Sequence, residues 1–215
     1  MSIITRRLLR QDIYDAVLSQ LLEGVLSPGS RVRDTAIAEQ LQVSRTPVRE
    51  ALVRLAQDGF LVADAGRGFR VRRLDAREVR EIYPIVGTLE CMALESSVPL
   101  LAATFETLEA LNSEIASCLD DPIRRIHLDE EWHRELLKRC DNNQLLSLIA
   151  GLKQRIRVYE YDYWRNAGLA ETSTSEHSGI SRALMASDVK SASVLLRRQF
   201  DRSVDRITQW LTETD

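Results

Sequence analysis

The sequence predicts a mainly α protein, an N-terminal winged helix-turn-helix followed by an all-helical bundle. Three observations carry that expectation. Apolar residues recur at helical spacing through most of the 215 residues. Glycine and proline, 9 and 5 in number, are too few for a β-rich or disordered chain. Before residue 75 two short apolar runs flank a glycine-rich tip, and after it no such pair recurs.

The elements follow in order. Tyr14, Leu18, Leu21, Leu22 and Val25 mark one helical face, which Leu26-Ser-Pro-Gly29 ends. Asp34 is expected to cap a second short helix through Ile37 and Leu41. In the stretch from Val43 to Leu52, VSRTPVREAL, Ser44 or Thr46 can accept hydrogen bonds from the first free N–H groups. Pro47 is tolerated there because the first turn has no intrahelical acceptor for its missing N–H. Val48, Ala51, Leu52 and Leu55 then face inward, turning Thr46, Arg49, Glu50 and Val53 outward and leaving Arg45 at the exposed flank. Phe60–Ala63 and Phe69–Val71 around Asp64-Ala-Gly-Arg-Gly68 read as the hairpin of a wing.

A domain boundary is expected near residue 74, giving 1–74 and 75–215. Helices are expected at roughly 76–98, 104–119, 122–140, 143–163, 169–186 and 188–213. Pro84 should kink the first of them, whereas Asp121-Pro122 is a natural N-cap and N1 pair.

Charge separates the two halves. Residues 1–75 carry 12 Arg, no Lys and 9 acidic residues, a net of +3, and the remainder nets −6. The positive charge lies where a polyanion would be met. No signal-peptide core or membrane-length apolar run is present, so a cytoplasmic protein with no membrane partner is expected. Cys91, Cys118 and Cys140, odd in number and widely spaced, suggest reduced thiols rather than a disulfide framework or zinc knuckle.

Arginine's planar fork fits a phosphate or the O6/N7 edge of guanine, and Arg45 and Arg49 stand one turn apart at the start of the helix that would enter a groove. Thr46 between them can touch a phosphate or a thymine methyl. Arg67, between Gly66 and Gly68, can approach the backbone or minor groove closely. Arg6, Arg7 and Arg10 could add phosphate contacts.

Gly24, Leu26-Ser-Pro-Gly29, Ala38-Glu-Gln-Leu41, Val43 to Leu52, Leu55, Asp58-Gly59 and Gly66-Arg-Gly68 together resemble the GntR-type bacterial transcription regulators over about the first 72 residues. The resemblance implies operator contacts at Arg45, Thr46 and Arg49, with Gly66 as the wing glycine. The candidate DNA-contacting set is Ser44, Arg45, Thr46, Arg49, Gly66, Arg67 and Arg33. Thr35 stands where many members carry a further DNA-contacting arginine, and Gln42 replaces the usual turn glycine.

In the helix expected at 122–140, Ile126, Asp129, His133, Leu136, Leu137 and Cys140 share one stripe, placing a carboxylate and an imidazole where the core should be. His177 lies on a similar stripe with Ile180 and Leu184, and Gln199 follows Leu195 and Leu196 by one turn. One Asp oxygen with two His nitrogens suits Zn²⁺, Mn²⁺ or Ni²⁺; equally, Asp129 and His133 could pair with each other and His177 be an ordinary core histidine. His127, on a face with Glu130, Glu131, Arg134 and Lys138, reads as a surface residue.

Asp129-Glu-Glu-Trp-His133, Asn142-Asn143-Gln-Leu145, Glu176-His177 and Leu195-Leu-Arg-Arg-Gln-Phe200 resemble the FCD type of ligand-binding domain, from the FadR branch of the same family. Many such domains hold a divalent metal with one Asp and three His, and the metal binds a small carboxylate effector. The resemblance implies metal ligands at Asp129, His133 and His177, with Gln199 in place of the third histidine and open to effector contact. Val86 stands where members commonly place an arginine, which points to an effector with less negative charge.

The leading expectation is a homodimeric, sequence-specific transcription regulator, a repressor in the usual case. It would bind a palindromic operator in double-stranded DNA with an affinity set by a small organic acid. Two rivals are a metal-dependent hydrolase using Asp129 and His133, and an architectural DNA-binding protein without effector. The hydrolase is disfavoured because it requires a general base or nucleophile in an open cleft, and no further carboxylate, Ser-His pair or phosphate loop is expected beside those residues in the site.

Overall fold

A computed structural model describes the backbone of residues 3–64, 68–73, 75–99, 102–118, 121–167 and 170–214, and their side chains apart from 3–9, 122–123, 158–172 and 213–214. The chain forms two compact units, Met1–Leu74 and Asp75–Asp215.

In the first unit α1 (Ile3–Leu22), α2 (Asp34–Gln40) and α3 (Arg45–Gln57) pack beside a small antiparallel sheet of β1 (Arg31–Val32), β2 (Leu61–Asp64) and β3 (Gly68–Val71), ordered β1-β3-β2. The hairpin pairs Leu61 with Val71 and Asp64 with Gly68. Sequence patterning had not suggested β1, because two residues are too short to show alternation. Ile13, Val17 and Leu21 of α1, Val48, Leu52 and Leu55 of α3, and Phe60, Phe69 and Val71 of the wing form the core. Tyr14 ties α1 to the end of α3: its hydroxyl donates to Asp58 Oδ2 at 2.8 Å and its ring lies 4.4 Å beneath the Arg54 guanidinium.

Two cap assignments need correction. Asp34 is the first helical residue of α2 and Arg33 is its N-cap. Ser44 caps α3 in extended geometry but its hydroxyl makes no capping bond, and Thr46 lies inside the helix. The corner between α2 and α3 closes in a Schellman motif, with Gln42 N–H donating to Glu39 O and Val43 N–H to Ala38 O. Gln42 takes the left-handed position at φ 54°. The same motif after α3 uses a glycine, Gly59. A side chain at such a φ costs about 1 kcal/mol or more. Gln42→Gly is therefore expected to raise the stability of the first unit by about 1 kcal/mol, read as a higher thermal midpoint by circular dichroism. An unchanged midpoint would show that the Gln42 side chain supplies an offsetting contact.

The second unit consists, among the described residues, of α4 (Ala76–Ser97), α5 (Ala102–Ser117), α6 (Pro122–Leu136), α7 (Asn143–Ala167), α8 (Ala170–Met185) and α9 (Val189–Thr214). Asp75 and Asp121 cap α4 and α6, accepting from Glu78 N and Arg124 N. Helix α4 continues on both sides of Pro84, whose carbonyl accepts from Thr88 Oγ1 and Arg197 Nη1. Gly87 lets α4 approach α9 closely: a Cβ there would lie 3.0 Å from Phe200 Cβ. Cys91, Cys118 and Cys140 are free thiols, as their spacing suggests. No helix among the described residues is long and apolar enough to cross a membrane.

Candidate functional site

Two groups of side chains stand out, one in each unit. On the first, Arg33, Ser44, Arg45, Thr46 and Arg49 are all solvent-exposed, as the outward face of α3 requires. The Arg45 and Arg49 side chains are each 65% exposed, and both approach the carboxylate of Asp34. Because Ser44 Oγ is not spent on its own helix, its hydroxyl is available beside the free N–H groups of the first turn. Arg10 of α1 pairs with Glu50 instead of standing free. Gly66, Arg67 and the side chains of Arg6 and Arg7 lie outside the described residues.

In the second unit α6 stops at Leu136, four residues short of the expected 140; Ile126, His133 and Leu136 form its inward stripe, and Leu137 and Cys140 are buried in the turn beyond it. A second stripe, Arg125, Leu128 and Trp132, is buried beside it, so the buried face of α6 is wide and, among its described residues, only the face of Arg124, His127, Glu131 and Arg134 stays exposed. Asp129, His133 and His177 come together: one ligand atom from each lies within 4.8 Å of the others. His133 Nε2 is 3.9 Å from Asp129 Oδ2, and His177 Nε2 is 3.5 Å from Asp129 Oδ1. Gln199 joins them, its Nε2 3.0 Å from His177 Nε2. Those four positions were legible in the sequence.

Of their supports only Glu90, in register with the buried face of α4, leaves a mark in the sequence. His133 Nδ1 lies 2.6 Å from Oε2 of Glu90, a carboxylate with no solvent exposure on α4, and Lys153 Nζ of α7 donates to Glu90 Oε1 at 3.1 Å. His177 Nδ1 lies 3.3 Å from Asn112 Oδ1 of α5. The orientation of Asn112 is fixed, since its amide nitrogen donates to Thr174 O and Ser178 Oγ. A carboxylate on one ring and an amide oxygen on the other each require an N–H at Nδ1, which leaves both Nε2 lone pairs facing Asp129. Trp132, fully buried, stacks on the His177 ring at 3.8 Å and 6°. Ser173 donates to Asp129 Oδ1 at 2.9 Å.

Charge states follow from these surroundings. Burial lowers the His177 pKa to about 3, so the ring is neutral near pH 7 with its lone pair available. Burial disfavours ionised Glu90, but His133 and Lys153 outweigh it and hold the carboxyl down to about 2. Burial likewise opposes ionisation of Asp129, and His177, His133, Lys153 and the Ser173 hydroxyl together hold it below the usual carboxylate range. Glu130 moves the other way, because burial raises it more than Arg157 and Lys153 lower it.

Glu90 and Glu130 overturn the expectation that no further carboxylate lies near Asp129 and His133. Glu90 approaches His133 from the ring edge opposite Asp129 and is fully engaged with His133 and Lys153, while Glu130 is paired with Arg157 at 3.1 Å. Neither is free to act as a base. Val86 is completely buried in the packed face of α4. The cations that do line the cavity beside Asp129 are Lys153 and Arg206. His127 is exposed, as expected, and lies against Arg157.

The donor set fits a divalent transition metal: two imidazole nitrogens and a carboxylate oxygen converge, each imidazole oriented from behind, and Asp129 and His133 border a cavity. Gln199 Oε1, buried without a hydrogen-bond partner, is a candidate fourth donor. The cavity measures about 50 Å³, room for roughly four water molecules at 10–15 Å³ each.

Known proteins share both units. Residues 9–71 match the family described as bacterial regulatory proteins, gntR family, and residues 81–202 match the FCD domain. The Nta operon transcriptional regulator of Aminobacter aminovorans is 32% identical over 86% of this chain and 90% of its own length. The transcriptional repressor RspR of Escherichia coli is 24% identical over 94% of this chain and 93% of its own. Among solved structures, E. coli McbR/YncC superposes with a TM-score of 0.77 at 26% identity, covering 94% of this chain and 98% of that one. Both units thus recur together in known regulators. The chain belongs to the GntR family of bacterial regulatory proteins, as a DNA-binding transcription regulator with an FCD effector domain.

Proposed function

We propose that this regulator acts as a homodimer of the FadR branch, binding a palindromic operator through Ser44, Arg45, Thr46, Arg49, Arg33 and the wing residues Gly66 and Arg67. Its affinity is set by a small carboxylate bound with a divalent ion at Asp129, His133 and His177. One observation carries the second half of that reading: both histidines commit Nδ1 to a buried acceptor and aim Nε2 at Asp129. Two core histidines kept for packing alone would have no need to share that polarity.

A divalent ion there supplies a Lewis-acidic point that draws a carboxylate group. The chain does the rest. Lys153 and Arg206, held by Glu90 and Glu176, line the cavity where a carboxylate group would be met, and Tyr83, Ile156 and Phe200 supply its apolar wall. The modest volume restricts the occupant to a small acid. For the ligand to alter DNA affinity it must bind the DNA-competent and incompetent arrangements of the dimer with different strength. Repression relieved by ligand is the sign of response we assign.

Gln199 sets the metal affinity. Its amide N–H points at the His177 Nε2 lone pair, so ligation by Gln199 requires the amide to turn and present Oε1 instead. Imidazole is the stronger ligand for Zn²⁺ or Ni²⁺. Gln199→His is therefore expected to raise Zn²⁺ affinity by at least tenfold, read by competition with a chromogenic chelator, while Asp129→Ala lowers it by a comparable factor. Equal affinity in wild type and both variants would remove the metal from this reading.

A further inference from the structure

Asp34 is the first residue of α2, and its carboxylate is shared by the two arginines at the head of α3. Arg45 Nη2 donates to Oδ1 at 3.3 Å and to Oδ2 at 3.1 Å, and Arg49 Nη1 lies 3.7 Å from Oδ2. The Asp34 side chain is 13% exposed against 65% for each arginine, so the acid sits beneath the forks and the forks face solvent.

Stability does not account for this arrangement. Ion pairs with a partner this exposed contribute about 0–1 kcal/mol. What the arrangement does fix is direction. Each guanidinium carries five donors, and Asp34 engages one terminal nitrogen of each, leaving the remaining N–H groups pointed outward. An arginine side chain has about 2 kcal/mol of rotamer entropy to lose on binding, and part of that loss is already incurred before DNA arrives. Asp34 also leaves the trio with a net charge of +1 where the arginines alone would carry +2, and it stays ionised because Arg45, Arg49 and the Thr35 N–H offset its burial.

We propose that Asp34 is a specificity-determining residue. It orients Arg45 and Arg49 toward base edges, and its negative charge lowers the affinity of the same surface for DNA of any other sequence. Phosphate attraction is common to every duplex, whereas a base edge rewards correct direction, so an acid beneath the arginines weakens the first and sharpens the second. This inference rests on reading Arg45 and Arg49 as DNA contacts.

The test uses the full-length protein, a duplex recovered from a random pool by the wild type, and a scrambled duplex of equal composition. Fluorescence anisotropy gives both affinities across a salt series for wild type, Asp34→Asn, Asp34→Glu and Arg45→Ala, with circular dichroism confirming the fold. Asp34→Asn is expected to bind the scrambled duplex more tightly, to steepen the log affinity against log salt slope by about 0.9, and to lower the selected-to-scrambled ratio about tenfold. Asp34→Glu, which keeps the charge but moves the carboxylate, is expected to keep the wild-type salt slope and still lower the ratio. Wild-type ratio and slope in Asp34→Asn would overturn the proposal. If Arg45→Ala binds the selected duplex as wild type does, the contact reading fails instead, and the two failures are told apart by that variant.

Discussion

Arg45→Ala combined with Arg49→Ala leaves the protein folded and reduces its affinity for a selected duplex by at least tenfold, with a shallower salt dependence. Each arginine in good contact with a guanine edge contributes about 1–3 kcal/mol of discrimination, and each phosphate neutralised contributes about 0.9 to the salt slope. The exposure of both forks makes the prediction sharp. They project from α3, whose opposite face, Val48, Ala51, Leu52 and Leu55, is buried, so truncating them removes no core packing. A gel-shift or anisotropy titration checks it, and unchanged affinity in the double variant would take both residues off the contact surface.

The second large effect is at Glu90, for a different physical reason. Glu90→Ala removes the fully buried carboxylate shared by Lys153 and His133 and opens a cavity in the packed face of α4. Breaking one side of a buried pair costs about 3–5 kcal/mol. All three tryptophans, Trp132, Trp164 and Trp210, lie in the second unit, so urea unfolding followed by their fluorescence reports that unit alone. The acid limb of the same titration is also determined. His177 holds its pKa at about 3 against an ordinary 6.5, so the unfolded chain takes up a proton that the folded one refuses, and stability falls as pH drops below 6.5. Glu90, at about 2 against 4.5, adds a second loss of the same sign as pH falls below 4.5. Glu90→Gln is expected to abolish the second part and keep the first. A Glu90→Ala midpoint equal to wild type would mean that Lys153 finds water and the pair is structurally dispensable.

Much of this architecture could be read from residue order, and particular residues show where reading stopped. Helical period gave the six helices after residue 75 to within a few positions, because each carries a repeating apolar face. It placed Asp129, His133 and His177 inward for the same reason. Glu90 left a signal that was passed over: it sits in register with Val79, Ile82, Tyr83, Val86, Ala93 and Leu94, so a carboxylate occupied a core position of α4. Lys153 and Asn112 left none, since what makes them part of the site is contact across helices far apart in sequence. Asp34 was read as a cap because acids favour helix starts, and the tertiary pairing with α3 is what assigns it to the arginines instead.

The measurement that bears most directly on the account is the metal content of protein purified without a histidine-bearing tag. Plasma mass spectrometry before and after chelation would be paired with the tryptophan-monitored melting temperature. Close to one Zn²⁺, Mn²⁺ or Ni²⁺ per chain, lost on chelation with a fall in the melting temperature and restored on adding the ion back, is the expected result. Metal-free protein that melts identically with and without each of the three ions would contradict it, and the cluster of Asp129, His133, His177 and Gln199 would then have to meet its ligand through the side chains themselves.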